Sequence, residues 1–129
     1  MSTSTSIVTG VDFAFVPVRD FDAALEFYGT TLGLPLSVRY EKVAGAEFET
    51  GNLTLVVMDS AAIGLEHGKS QNAIALRVDD VAAARAELES RGVTFFGDIL
   101  DSGVCHQAYF SDPEGHSLIL HHRYAPRGG

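Results

Sequence analysis

Tyr109-Phe-Ser-Asp-Pro-Glu-Gly-His-Ser-Leu-Ile-Leu-His121 reads as two β-strands joined by a tight turn. Asp112-Pro113-Glu114-Gly115 supplies the turn: proline presets φ, Asp112 can bond the backbone ahead of it, and Gly115 can take the positive φ that closes such a loop. In the strand that follows, alternation sends Leu118 and Leu120 to one face and Ser117, Ile119 and His121 to the other. The leucines are the natural core side. The second face is half polar and suits the wall of a cleft. If Tyr109 lies across from Ile119, then Gln107 lies across from His121 and Cys105 joins the same row; a slip of one residue would exchange the faces.

Residues on either side extend this into a pattern used twice. In the second half, residues 73–78 form a strand, Asp79 or Asp80 caps a helix that turns Val81, Ala84 and Leu88 inward, and Gly92 stops it. Residues 93–96, 104–110 and 116–122 supply three more strands. The first half follows the same plan. Residues 11–18 are β-branched and aromatic, and Asp20 caps a helix carrying Phe21, Leu25, Tyr28 and Leu32 at near-helical spacing. Gly33 and Pro35 end that helix, and residues 36–41, 46–50 and 53–58 read as strands, with Gly51-Asn52 as a turn. At an offset of 60 residues Val18 matches Val78, Asp20 matches Asp80, and Ala23-Ala24 match Ala83-Ala84, all at the same strand-to-helix junction. The reading is an α+β fold of two βαβββ modules. They occupy residues 10–58 and 72–122 and are joined by a connector at 59–71. A disordered tail is expected at 1–9 and a C-terminal tail at 123–129.

Composition narrows the function. A chain of 129 residues with 46% hydrophobic content can bury roughly two thirds of its unfolded surface and fold by itself. Its formal charge of −8 argues against nucleic acid, because neutralising phosphates needs clustered Lys and Arg. A small-molecule ligand, aromatic or cationic, fits better. The single cysteine, Cys105, rules out an internal disulfide framework and points to a reducing cytoplasm. Residues 1–6 lack the features of a secretory signal, and no apolar run approaches the ~20 residues that span a bilayer, so no membrane association is expected.

The aromatic pair Tyr109-Phe110 followed by Asp112-Pro113-Glu114-Gly115 and an alternating strand resembles the closing hairpin of the vicinal oxygen chelate superfamily. This group includes glyoxalase I, bleomycin- and fosfomycin-resistance proteins and extradiol dioxygenases. Residues 18–34 (Val-Arg-Asp-Phe-Asp-Ala-Ala-Leu-Glu-Phe-Tyr-Gly-Thr-Thr-Leu-Gly-Leu) are similar to its first helix, and residues 78–92 to its second. The resemblance implies curved mixed sheets around a cleft and a homodimer, since sheets of four short strands leave edges and faces that need partners. It also implies a divalent metal held by histidines and carboxylates from four strands. Carried over one at a time, those positions fall on Phe13, Ala73, Ile119 and Val56 (Leu55 if the register slips by one). None has a lone pair to give, and a catalytic site of this kind wants about three protein ligands. The expectation is therefore a protein without a metal or other cofactor. The remaining histidines offer little: His121 and His122 are strand neighbours and diverge, while His67, His106 and His116 read as surface or capping residues.

If the former ligand positions mark the rows that face the cleft, parity nominates Phe13, Phe15, Thr54, Val56, Met58, Ala73, Ala75, Arg77, Cys105, Gln107, Tyr109, Ser117, Ile119 and His121 as its lining. An apolar floor with a few polar groups is how small-molecule pockets are built. Cys105 beside His106 is not a nucleophile and base, because adjacent strand residues diverge; Cys105 reads as a small buried hydrophobe. Tyr109 and His121 are the acid/base candidates. Two functions follow: a metal-free binding protein resembling the bleomycin-resistance branch, or an enzyme. The enzyme would be a lyase or isomerase using Tyr109 and His121, or a glyoxalase- or dioxygenase-like catalyst with a non-standard metal site.

Overall fold

A computed structural model describes Ile7, Thr9 and residues 11–63 and 73–126. It shows two four-stranded sheets built on one plan. The first contains β1 (Phe13–Val18), β2 (Leu36–Arg39), β3 (Gly45–Glu49) and β4 (Thr54–Asp59), in the order β1-β4-β3-β2. The second contains β5 (Ile74–Arg77), β6 (Phe95–Asp101), β7 (Cys105–Ser111) and β8 (Ser117–Arg123), in the order β5-β8-β7-β6. In each sheet the first strand of the module runs parallel to the last, and the other pairs are antiparallel. Helix α1 (Phe21–Glu26) and helix α2 (Val81–Ser90) follow the first strand of each module.

The repeat read from the sequence is a repeat of local chemistry. Asp20 accepts the Ala23 N–H at 3.1 Å and Asp80 accepts the Ala83 N–H at 3.0 Å, so equivalent carboxylates cap equivalent helices. The stops match as well: Gly33 and Gly92 both adopt positive φ, 74° and 93°. The first helix departs from the simple reading. Its last turn, Phe27–Thr31, is π-helical, with the Leu32 N–H reaching back to Phe27 O at 2.8 Å.

The closing hairpin has the register read from the sequence. Tyr109 pairs with Ile119 and Gln107 with His121. Leu118 and Leu120 are buried. Asp112 Oδ1 accepts the N–H groups of Glu114 and His116, each at 2.9 Å, and Gly115 has φ 88°.

Several boundaries move. β6 extends to Asp101 where residues 93–96 were expected, because Gly97 at φ 69° introduces a register shift that carries the strand onward. Asp59 ends β4 and Ser60–Ile63 form a 3₁₀ turn, so the connector expected at 59–71 begins inside regular structure; residues 64–71, including His67, lie outside the described residues. β8 takes in Arg123 from the expected C-terminal tail, whose residues 127–129 lie outside the described residues. Of the tail expected at 1–9, only Ile7 and Thr9 are described. Ala73 precedes β5 and is exposed.

The helix-side faces of both sheets share one core. Val16, Val18, Phe48, Leu55 and Val57 from the first module join Phe110, Leu118 and Leu120 from the second, with Phe21, Phe27, Tyr28, Val81 and Leu88 from the helical segments. Three polar links tie the modules at the Asp112–Gly115 turn. The Tyr28 hydroxyl donates to Asp112 Oδ2 at 2.9 Å, the Glu114 carboxylate accepts the N–H groups of Arg19 and Asp20, and the His116 Nε2 lies 2.7 Å from Pro17 O. His116 is thus a buried, module-bridging residue and not a surface one.

Candidate functional site

Because the helix-side faces meet in the core, the opposite faces turn away from it, and these carry the residues nominated from parity. On the first sheet, strand pairing lays out two cross-strand rows, Phe15–Val56–Glu47 and Phe13–Thr54–Glu49. On the second sheet the corresponding rows are Ala75–Ile119–Tyr109–Phe96 and Arg77–His121–Gln107–Leu100. Each face therefore offers apolar surface with polar groups set at defined positions along it.

The first face forms a recess of about 180 Å³ lined by Asp12, Phe13, Phe15, Tyr40, Glu47, Thr54, Val56 and Met58. Val56 and Met58 are its buried floor, while Phe13 and Phe15 stand 47% and 48% exposed above it as an edge-to-face pair with centroids 5.1 Å apart. Two large apolar rings held half in water at a concavity are costly to leave uncovered and well placed to be covered by a ligand. The polar groups are held by one another. The Tyr40 hydroxyl donates to Glu47 Oε2 at 2.5 Å, and this bond to the carboxylate, aided by burial and the carboxylate's charge, pushes the phenol up to about 12. Ser37 and Thr54 both donate to Glu49, at 2.6 and 2.8 Å, and hold its carboxyl below the usual range.

Gly45 makes room for the Tyr40 ring. A Cβ at that position would sit 2.6 Å from Tyr40 Cδ2 and 3.1 Å from Met58 Cε.

The second face carries a chain of hydrogen bonds along β7. Tyr109 donates to Gln107 Oε1 at 2.9 Å, Gln107 Nε2 approaches Cys105 Sγ at 3.5 Å, and Ser102 Oγ lies 3.1 Å from the same sulfur. Cys105 is buried. The Tyr109 proton is thus directed to Gln107, and among the described residues the His121 ring has no hydrogen-bond partner to orient it. His106 points to the other side of the strand, where it meets Asp101 at 3.3 Å and stacks near Tyr124.

The nominated residues thus form two groups, one per sheet, and the recess at Phe13 and Phe15 is lined by first-module residues alone. Tyr40, Glu47, Phe96 and Leu100 belong to these faces although parity arguments from the family's ligand positions do not reach them. The alternation Ala46-Glu47-Phe48-Glu49, buried and half-buried in turn, carries the signal for Glu47. Leu100 falls beyond the end expected for β6.

At the positions onto which the resemblance carries a metal's ligands, the side chains of Phe13, Val56, Ala73 and Ile119 have no donor atoms, so these residues do not fit one. Among the described residues no group of three or more His, Cys, Asp or Glu side chains is placed to hold a metal ion. No helix among them is long and apolar enough to cross a membrane.

A family model described as the Glyoxalase/Bleomycin resistance protein/Dioxygenase superfamily matches residues 10–120. Among solved structures the chain is similar to TnmS3, an antibiotic binding protein from Streptomyces sp. CB03234, with 28% identity over 92% of this chain and 99% of that one and a TM-score of 0.76. A glyoxalase/bleomycin resistance protein from the same Streptomyces is 30% identical over 88% of this chain and 100% of that one, with a TM-score of 0.70. Lactoylglutathione lyase from Agrobacterium tumefaciens shares the fold at 18% identity, covering 90% of this chain and 95% of that one, with a TM-score of 0.73. No curated protein sequence matches the chain significantly.

Proposed function

The chain belongs to the glyoxalase/bleomycin resistance protein/dioxygenase superfamily, and on that premise we propose that it is a metal-free binding protein that sequesters an aromatic small molecule. The observation that carries this reading is the first sheet's recess: half-exposed Phe13 and Phe15 over a buried floor of Val56 and Met58, at positions where the resemblance implies metal ligands and the side chains supply none. Aromatic walls over an apolar floor recognise a ring, and side chains without donor atoms give a metal nothing to bind. The likeness to an antibiotic binding protein over nearly the whole of both chains supports the same reading.

A homodimer belongs to this proposal. The two nominated faces point away from the shared core, and Phe96 and Leu100 on the second face are 60% and 53% exposed. A second copy bringing its second-module face over the first-module recess would cover apolar surface on both and close the cleft. The lone reduced Cys105 is the basis for placing the activity in the cytoplasm.

Equilibrium dialysis against a panel of planar aromatic antibiotics, followed by chromatography of the recovered compound, tests the reading. The expected result is stoichiometric retention of at least one compound, recovered unchanged. Recovery of a converted product would replace sequestration with catalysis, and retention of none would remove the binding reading.

A further inference from the structure

The direction of the hydrogen bonds in the first-sheet recess restricts what polar group a ligand can bring. A tyrosine or threonine hydroxyl has one proton, and an ionised carboxylate has none. Tyr40 spends its proton on Glu47 and Thr54 spends its own on Glu49. The remaining side-chain polar groups of the recess are the carboxylates of Asp12 and Glu47. Its side chains therefore offer acceptors and negative charge with no free donor. The guanidinium of Arg39 is not among the groups that line the recess and lies 5.2 Å over the Phe21 ring. The arrangement is built into the backbone, since only a residue without Cβ at position 45 lets the Tyr40 ring lie where its hydroxyl meets Glu47.

We propose that this recess selects the cationic, hydrogen-bond-donating end of an aromatic ligand, an aryl amidinium or ammonium group, with Glu47 as the counter-charge and Phe13 and Phe15 as the walls. The proposal rests on the binding reading above and makes it narrower. Phe13 and Phe15 supply ring faces for a cation, Tyr40 and Thr54 supply lone pairs to its N–H groups, and the ~180 Å³ available suits one substituted ring and its charged group. A carboxylate or phosphate would meet repulsion from Glu47 and Asp12 and find no side-chain donor.

Three probes of nearly one shape separate the possibilities: benzamidinium (cation), benzamide (neutral) and benzoate (anion). Each is titrated into the ¹⁵N-labelled full chain while the amides of Phe13, Phe15, Glu47 and Val56 are followed by NMR. Benzamidinium is expected to shift these amides saturably and to bind about tenfold more tightly than benzamide, the value of one charge-assisted hydrogen bond at a half-exposed site. Benzoate is expected to leave them in place. Glu47→Gln keeps an acceptor for Tyr40 and should remove the tenfold advantage of benzamidinium over benzamide. Should that variant fail to fold, the wild type decides through salt: raising NaCl from about 20 to about 500 mM should weaken benzamidinium severalfold and leave benzamide unchanged. Equal or tighter binding of benzoate, or indifference to both Glu47→Gln and salt, would overturn the cation preference while leaving an apolar binding site. If none of the three probes shifts these amides, the proposal fails, and the dialysis experiment decides separately whether the protein binds a larger aromatic compound.

Discussion

Tyr40 keeps its proton far into the alkaline range because its hydroxyl donates to Glu47. The sign follows from linkage: a phenol whose folded pKa is raised from 10.0 to about 12 stabilises the fold fully below the unfolded value, and that contribution is lost as pH rises toward 12. In a near-ultraviolet titration of tyrosinate, wild type and Tyr40→Phe should therefore give the same rise up to about pH 11 and separate only above it. A difference opening near pH 10 would show that Tyr40 is not bonded to the carboxylate. Gly45→Ala tests the same contact from the backbone side. The added methyl would fall 2.6 Å from the ring, so Tyr40 must swing away, its alkaline shift should vanish, and benzamidinium affinity should fall with it. Retention of both in the variant would mean that the ring has room to spare.

The Asp112–Gly115 turn does two jobs as an element. It closes the β7–β8 hairpin, and it joins the other module at two places, with Asp112 on Tyr28 in the π-helical turn and His116 and Glu114 on the end of β1 and the residues between it and α1. Asp112 is 4% exposed and Tyr28 is 0% exposed, so their bond forms out of water, and burial together with the Asp112 and Glu114 charges pushes the Tyr28 phenol far up. Tyr28→Phe removes only the hydroxyl and leaves a buried carboxylate oxygen short of a donor. It should cost about 1–3 kcal/mol in urea unfolding, with no change in benzamidinium binding. An unchanged midpoint would show that water replaces the lost donor and that the turn is not a clamp between modules.

At the scale of the molecule, two open sheets with outward apolar faces set the assembly and metal predictions. Sedimentation velocity at micromolar concentration should give a dimer, and Phe96→Glu together with Leu100→Glu should shift it to monomer. A wild-type monomer across that range would remove the second copy from the proposed cleft. After chelator treatment, addition of Zn²⁺, Ni²⁺, Mn²⁺ or Fe²⁺ should leave the melting temperature unchanged. A ligand that binds the folded state at a hundred times its dissociation constant would add about 2.7 kcal/mol, and such a gain would mean that donors other than the family's converge on a metal.

Much of this was legible in the sequence because it depends on neighbours along the chain. Asp20 and Asp80 cap helices through bonds three residues away, and Gly33, Gly92 and Gly115 stand where the backbone needs positive φ. The alternation in Ser117-Leu118-Ile119-Leu120-His121 fixed which side chains enter the core, and with the register of the hairpin it placed Tyr109 beside Ile119. The missing donors at Phe13, Val56, Ala73 and Ile119 are likewise a matter of residue identity. Tertiary structure decided what depends on pairing between distant segments. Gly97 shifted the β6 register and brought Leu100 onto the second face beside Gln107. The packing of both helix-side faces into one core divided the nominated residues between two outward surfaces. The approach of Tyr40 to Glu47 over Gly45 turned a strand carboxylate into the charged wall of a recess, because hydrogen-bond direction and free space are set by atoms that meet only when the chain has folded.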